Sequence, residues 1–256
     1  MKYETNIIFL HQLYFKIIFV SKLPVLMYHN ITPNNDLSLG LTLSTSKFEE
    51  QLDYLNKNNY TSLFVSELEQ MKSISSKSVV ITFDDVTENQ LLYALPLLRK
   101  YNVKATFFIP FSYIGKTDLW NNGSEKIMSI DQLKSLDSSI IELGHHSFYH
   151  RKYSDLSEQE IETDFDKSFD LIATNDLNVY PSLAYPYGNY PKKGLKKDVF
   201  FKIVEKKGIR MAFRIGNRVN SFPLQSKFEI QRIDIKGQDT LFKFKWKLKI
   251  GKLSLF

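Results

Sequence analysis

The sequence of 256 residues contains no cysteine. Disulfide bonds, thiolate nucleophiles and thiolate metal sites are therefore excluded, so any metal ion must be bound by nitrogen and oxygen atoms. Hydrophobic residues make up 43% of the chain and aromatic residues 14%. This content is sufficient for a buried core. The length allows one large domain or two small ones.

The first 22 residues lack an uninterrupted apolar run. Two apolar clusters, residues 7–10 and 17–20, are separated by polar residues such as Lys16, whereas a membrane-spanning helix needs about 20 mostly apolar residues. The segment also lacks the small-residue cleavage site of a signal peptide. We expect residues 1–22 to form a loosely packed extension or an interfacial helix; an upstream start codon is the alternative. The location stays open between the bacterial cytoplasm and the cell envelope.

Acidic residues are absent after Asp239. Residues 239–256 form a tail in which apolar residues alternate with lysines, and its five lysines account for five of the six net positive charges of the chain. A period of two predicts an edge strand packed on the domain. The same lysine and aromatic stripe suits an anionic membrane surface or an acidic glycan. Nothing else in the chain indicates nucleic acid binding.

Two adjacent carboxylates follow a strand pattern. Residues 78–83 are rich in β-branched and aromatic side chains, which predicts a strand covered on both faces, and Asp84 and Asp85 follow directly. An aspartate pair in this position is most often the start of a turn or a helix cap. Both acids can face one cleft if they lie where the strand turns into a loop.

Two histidines follow a second short apolar strand, residues 139–143. His146 and His150 are four residues apart, so one helix-like turn would place both imidazoles on the same side. Two imidazoles and one carboxylate leave coordination positions open, as in a catalytic zinc site. Bound zinc lowers the pKa of water to about 7 and polarises a carbonyl group, which makes amide or ester hydrolysis feasible.

Three ordered motifs carry a family resemblance. Thr82-Phe83-Asp84-Asp85, His146-Ser147-Phe148-Tyr149-His150 and Ala184-Tyr185-Pro186-Tyr187-Gly188 resemble the first three motifs of the polysaccharide deacetylase family, also called the NodB homology family. The run Leu26-Met27-Tyr28-His29 and the lack of an arginine before Tyr185 are similar to the poly-N-acetylglucosamine deacetylase branch.

The resemblance implies a fold and a set of residue roles. Strands and helices alternate along the chain, which predicts an α/β domain with a parallel sheet. The family implies that this sheet closes into an irregular seven-stranded (β/α) barrel over residues 23–238. Asp85, His146 and His150 would bind a divalent metal ion, most simply zinc, and Asp84 would be the general base. The backbone N–H of Tyr187 would bind the oxyanion.

The sequence departs from the family pattern at three places. Val86 replaces the usual glycine after the acid pair, and Ala184 stands where many members have an arginine that orients the base. No histidine follows His150, so the C-terminal motif that carries the general acid is missing. Arg232 and Arg214 are the candidates to replace the arginine, with a structural salt bridge as the alternative for each.

His29 is the predicted replacement for the missing general acid. The chain has five histidines, and His29 remains after the metal pair, the neighbouring His145 and His11 of the extension are set aside. It ends the first core strand, and the family branch that the chain resembles has a catalytic histidine there. The alternative is a ring that only hydrogen-bonds a loop and points away from the cleft.

These residues predict a metal-dependent hydrolase that removes N-acetyl groups from amino sugars of a cell-envelope or exported polysaccharide and releases acetate. A catalytically silent relative that only binds glycan is one alternative, suggested by Val86, Ala184 and the missing late histidine. A non-haem iron enzyme with two histidines and one carboxylate is another, but its close His-x-Asp spacing is absent from the sequence.

Overall fold

The computed structural model describes residues 20–251, so most of the predicted N-terminal extension and the last five residues of the tail lie outside it. The strands in this range are β1 (Ser21–Leu23), β2 (Val25–Tyr28), β3 (Asn30–Thr32), β4 (Thr42–Ser44), β5 (Thr61–Leu63), β6 (Ser78–Asp84), β7 (Ala105–Ile109), β8 (Ile141–His145), β9 (Val179–Ala184), β10 (Met211–Ile215), β11 (Asn220–Phe222) and β12 (Ile230–Asp234). The α-helices are α1 (Thr45–Lys57), α2 (Val65–Gln70), α3 (Leu95–Lys100), α4 (Ile130–Lys134), α5 (Glu158–Thr174), α6 (Gly194–Lys206) and α7 (Leu241–Ile250).

Seven strands form a closed parallel barrel within residues 20–251. Hydrogen bonds join β2, β12, β10, β9, β8, β7 and β6 in this order, and β6 pairs back with β2 from Val80 opposite Val25 to Phe83 opposite Tyr28. The strand β5 pairs with the first half of β6, and β7 pairs with the second half. The predicted α/β fold with an irregular seven-stranded (β/α) barrel is confirmed.

Side-chain alternation on β6 separates the barrel interior from the outer layer. Ile81 and Phe83 belong to the outer cluster, and Phe83 packs edge-on against Phe48 of α1. Val80 belongs to a separate buried cluster. Because successive strand residues point to opposite faces, Asp84 lies on the same interior face as Val80. The first acid of the pair is therefore directed into the barrel.

Residues 241–250 of the C-terminal tail form a helix, so the edge strand predicted there is wrong. Thr240 caps α7 by accepting a hydrogen bond from the backbone N–H of Lys243 at 3.3 Å. Phe244 and Leu248 are buried, and the Phe244 ring packs edge-on against Tyr54 of α1 with 6.3 Å between the centroids. A strand would have placed Phe242 and Trp246 on the same face as these two residues, whereas the helix buries Phe244 and Leu248 and leaves Phe242 and Trp246 exposed.

The N-terminal end of the described chain is part of the domain. Strand β1 contains Ser21 and Lys22, which the sequence analysis assigned to the extension, and it pairs antiparallel with β11. Among residues 20–251, the helices are too short or too polar to cross a membrane.

Candidate metal centre

Asp85, His146 and His150 bring three ligand atoms together where β6 and β8 end. These atoms lie within 4.8 Å of one another. Asp85 Oδ1 is 3.5 Å from Nε2 of His146 and 3.4 Å from Nε2 of His150. This buried oxygen has no hydrogen-bond partner among residues 20–251. A divalent ion between the three atoms would supply the missing partner, and the oxygen and nitrogen donors suit zinc.

A sharp turn after β6 lets two neighbouring acids line one cleft. Asp85 and Val86 have φ values of +76° and +44°, a region that is rare for residues other than glycine and strained for a β-branched side chain. Two hydrogen bonds hold the turn: Asp85 N–H donates to the carbonyl of Phe108 at 3.1 Å, and the Val86 carbonyl accepts from Met128 N–H at 2.9 Å. Val86 therefore occupies the glycine conformation while its side chain is buried.

A loop, rather than the predicted helix-like turn, brings the two histidines together. Ser147 and His150 have φ values of +65° and +53°. The carboxylate of Asp164 on α5 accepts hydrogen bonds from the N–H groups of Phe148 at 2.9 Å and Tyr149 at 3.1 Å. The sequence analysis missed Asp164. An acid on the apolar stripe of a predicted helix is the signal that would have revealed it.

The orientation of the His146 ring suits a metal ligand. Its Nδ1 lies 2.8 Å from the carbonyl oxygen of Ala184, which leaves Nε2 free to face Asp85. Burial lowers the pKa of His146 to about 4, so the ring is neutral near neutral pH, as metal binding requires. Trp120 stacks on the second imidazole, His150, with 4.2 Å between the ring centroids.

Asp84 forms a bidentate ion pair with Arg232 inside the barrel. Nη1 lies 2.5 Å from Oδ1 and Nη2 lies 2.7 Å from Oδ2, and both side chains are buried. Burial alone would raise the pKa of Asp84, but the guanidinium outweighs it and holds this pKa below its usual range. Arg232 is thus the candidate that contacts Asp84, and its role as a replacement for the missing arginine stays a prediction. Arg214, the other candidate, lies in a separate surface pocket.

His29 lies in the same cavity as Asp84, which has a volume of about 230 Å³. Its Nε2 is 3.8 Å from Asp84 Oδ2, and it is not one of the three converging ligands. This separation is too short for a substrate atom to lie directly between the two groups.

Asp234 is a second residue that the sequence analysis missed. It ends β12 and lines the cavity together with His29. Within the described part of the chain, Asp234 Oδ1 and His29 Nδ1 are both buried without a hydrogen-bond partner. The position of Arg232 is the sequence signal that would have revealed Asp234, because residues two positions apart on a strand point to the same face.

Tyr187 and His145 occupy different surroundings. Tyr187 has a φ of +57°, lines the cavity, and packs edge-on against His150 with 4.8 Å between the centroids. The oxyanion role of its N–H stays a prediction. His145 packs between Phe111 and Phe169, and burial lowers its pKa to about 3. It is therefore a neutral core residue.

Comparison with known proteins gives consistent matches. A family model described as Polysaccharide deacetylase matches residues 72–222. YxkH of Bacillus subtilis (strain 168), assigned as a polysaccharide deacetylase, is 32% identical over 183 residues, and the match covers 69% of this chain and 60% of that protein. This chain thus spans 60% of the length of that relative.

A second relative and a solved structure extend the comparison. The poly-beta-1,6-N-acetyl-D-glucosamine N-deacetylase of Staphylococcus aureus (strain MSSA476) is 25% identical over 201 residues, which covers 75% of this chain and 67% of that protein. The structure of the Streptococcus pyogenes deacetylase PplD in complex with acetate has a TM-score of 0.73 at 23% identity and covers 89% of this chain and 98% of that chain. This last likeness shows the fold.

Proposed function

The chain belongs to the polysaccharide deacetylase family, and we propose that it is a metal-dependent hydrolase that removes N-acetyl groups from amino sugars of a cell-envelope or exported polysaccharide. The observation that carries the proposal is the convergence of Asp85, His146 and His150 beside the ion-paired Asp84. The acetyl group would leave as acetate, and the sugar would keep a free amine.

The lining of the cavity supports a sugar substrate. Trp120 and Tyr187 contribute aromatic surface. The amide nitrogen of Asn30 can donate to a hydroxyl group, and the amide oxygen of Asn121 can accept from one. A similar relative is named as a deacetylase of poly-beta-1,6-N-acetyl-D-glucosamine. An N-acetylglucosamine polymer is therefore the substrate class that we propose.

Each residue at the site has a distinct proposed task. A divalent ion held by Asp85, His146 and His150 would polarise the acetyl carbonyl and lower the pKa of the attacking water. Asp84 would accept the proton of that water, because Arg232 keeps its carboxylate ionised. His29 would donate a proton to the departing amine. The N–H of Tyr187 would stabilise the developing oxyanion.

Acetate release tests the proposal. The purified protein, stripped with a chelator and then reloaded with zinc, cobalt or nickel, would be incubated with β-1,6 and β-1,4 N-acetylglucosamine oligomers and with acetylated xylan. We expect acetate from an N-acetylglucosamine oligomer, loss of activity after chelation, and recovery with a divalent ion. Metal-loaded protein that binds an oligomer without releasing acetate would identify a silent glycan-binding relative instead.

A further inference from the structure

Helix α7 carries large apolar side chains on two opposite faces. Phe244 and Leu248 are buried against the domain, whereas Phe242, Trp246 and Ile250 are 69%, 41% and 43% exposed. The exposed three follow one another at intervals of four residues, so they form one stripe along the helix. A helix that is apolar on both faces needs a partner on each face. Within residues 20–251, the domain covers the face with Phe244 and Leu248, and the face with Phe242, Trp246 and Ile250 is exposed.

Lysines border this α7 stripe on both sides. Helical spacing places Lys245 and Lys249 along one edge and Lys243 along the other. The sequence has no acidic residue after Asp239, and Asp239 is buried within salt-bridge distance of Lys243 and Lys247. An apolar centre with a basic border is typical of helices that lie in a membrane interface, where lysine stems extend along the apolar surface toward lipid phosphates.

The N-terminal end of the described chain lies beside the last turn of α7. Lys22 Nζ donates to the carbonyl oxygen of Lys249 at 3.3 Å, and Val20 is 67% exposed. An exposed apolar residue therefore lies two positions from the residue that contacts the last turn of α7.

We propose that the α7 stripe docks this protein on an anionic phospholipid surface. Phe242, Trp246 and Ile250 would enter the boundary between headgroups and acyl chains, and the bordering lysines would contact lipid phosphates. The inference concerns a surface that contributes no residue to the cavity lined by Asp84 and the metal ligands. The membrane proposal can therefore be tested independently of the proposed deacetylase activity.

Charge distinguishes this partner from others that could cover the stripe. A second copy placed stripe to stripe would bring the two lysine borders together, which is repulsive. Residues 1–19 contain two lysines and one glutamate, so they cannot neutralise the border. An acidic glycan would neutralise it but offers no apolar medium for a convex row of Phe242, Trp246 and Ile250. An anionic bilayer offers both.

Vesicle sedimentation of the full-length protein tests the proposal. We expect binding to vesicles of phosphatidylcholine and phosphatidylglycerol in equal parts, and much weaker binding to phosphatidylcholine alone or at high salt. The triple variant F242S/W246S/I250S should lower the partition coefficient by at least about tenfold. The matched variant L92S/L195S, which removes leucines that are 60% and 77% exposed elsewhere, should bind as the wild type does.

Two further measurements protect the test from a folding artefact. The melting temperature of the triple variant should match the wild type, because the stripe is exposed. In a Trp120→Phe background, Trp246 is the remaining tryptophan, and its fluorescence should be quenched by brominated lipids.

Several outcomes would overturn the proposal. They are equal vesicle binding by the triple variant and the wild type, absence of Trp246 quenching, dissociation of a dimer by the triple variant in sedimentation velocity, and retention on an immobilised acidic polysaccharide without vesicle binding. Turnover of a small soluble substrate, measured in parallel, should not change in the triple variant. A loss of that turnover alone would instead concern the catalytic site.

Discussion

Asp84 and Asp85 are adjacent in the sequence but have different electrostatic surroundings. Both oxygens of Asp84 are bound by the Arg232 guanidinium, whereas Asp85 faces two imidazole nitrogens with one oxygen unpartnered in the described structure. An ion-paired carboxylate is held in place and stays ionised. An unpartnered carboxylate beside two imidazoles can bind a metal ion. This difference supports the roles proposed for the two acids.

The variants Asp84→Asn and Asp85→Asn should separate these roles. Asp84→Asn should keep the metal but lower kcat by about 10²–10⁴-fold, the usual contribution of a general base. Asp85→Asn should lose metal affinity, because the amide cannot replace the carboxylate charge. Metal content by mass spectrometry after gel filtration and acetate release would be compared. Loss of metal in Asp84→Asn would mean that the two roles are exchanged.

Arg232→Gln should be strongly destabilising. Removal of one partner from a buried ion pair leaves an uncompensated charge, which costs about 3–5 kcal/mol. The control Arg210→Gln removes an exposed pair with Glu69 and should change the free energy of unfolding by less than about 1 kcal/mol. Urea unfolding at neutral pH measures both. Equal losses in the two variants would contradict the importance of the buried pair.

The same variant should change the pH dependence. In the wild type the pKa of Asp84 is held below its usual range, so the stability that the pair provides is present above about pH 3.9 and is lost only as the pH falls through the lower folded pKa. Without Arg232, burial dominates and the pKa rises. The acid limb of kcat/KM should therefore move to higher pH in Arg232→Gln. An unchanged limb would contradict the control of the Asp84 pKa by Arg232.

His29→Ala should affect amides more than activated esters. An amine must be protonated as it leaves, whereas a nitrophenolate leaves without a proton. We expect kcat on an N-acetylglucosamine oligomer to fall by about 10²-fold or more, while hydrolysis of nitrophenyl acetate and metal content change little. Parallel losses on both substrates would show that His29 does not act as the general acid.

At the scale of secondary-structure elements, α5 holds the loop between His146 and His150. Asp164 is buried on α5 and binds two consecutive N–H groups of that loop, and the Tyr153 hydroxyl also donates to it at 3.0 Å. Burial raises the pKa of this carboxyl. The loop has two residues with positive φ, so it depends on such anchors to keep its shape.

Asp164→Asn should weaken metal binding by about 10–100-fold, as losses of groups that orient metal ligands usually do. Titration of the stripped protein with zinc, followed by a competing chelator dye, measures the affinity. Asp170→Asn on the same helix changes an exposed acid and should leave the affinity unaltered. Equal affinities in the two variants would show that α5 does not support the site.

At the scale of the whole molecule, the ion should stabilise the barrel without being required for it. None of the three candidate metal ligands takes part in the pairing of β2 with β6 that closes the barrel. None of them belongs to the buried apolar clusters of residues 20–251 either. Loading at about a thousandfold excess over Kd should add about 4 kcal/mol, so chelation should lower Tm while the circular dichroism spectrum stays native. Asp85→Asn should show no Tm response to zinc; collapse of the wild-type fold on chelation would contradict this prediction.

The sequence was informative where local patterns decide the structure. The β6 strand pattern placed the acid pair at a strand end, and the motif order led to the closed barrel. Contacts between distant residues were not predictable. The Phe244 contact with Tyr54 makes α7 a helix, although alternation favoured a strand. Likewise, the choice of Arg232 over Arg214 depends on which strand residues face the interior, and that follows from closure of the barrel.

The ion pair between Asp84 and Arg232 also has a consequence for synthesis of the protein. Its partners are 148 positions apart in the chain, and the arginine lies on the barrel strand that is made last. A nascent chain on the ribosome contains the three candidate metal ligands once His150 has emerged, but Asp84, the proposed base, has no counter-ion until β12 joins the barrel. If the proposed roles hold, hydrolysis would begin only when the domain is complete, and we expect a fragment that ends before β12 to be inactive.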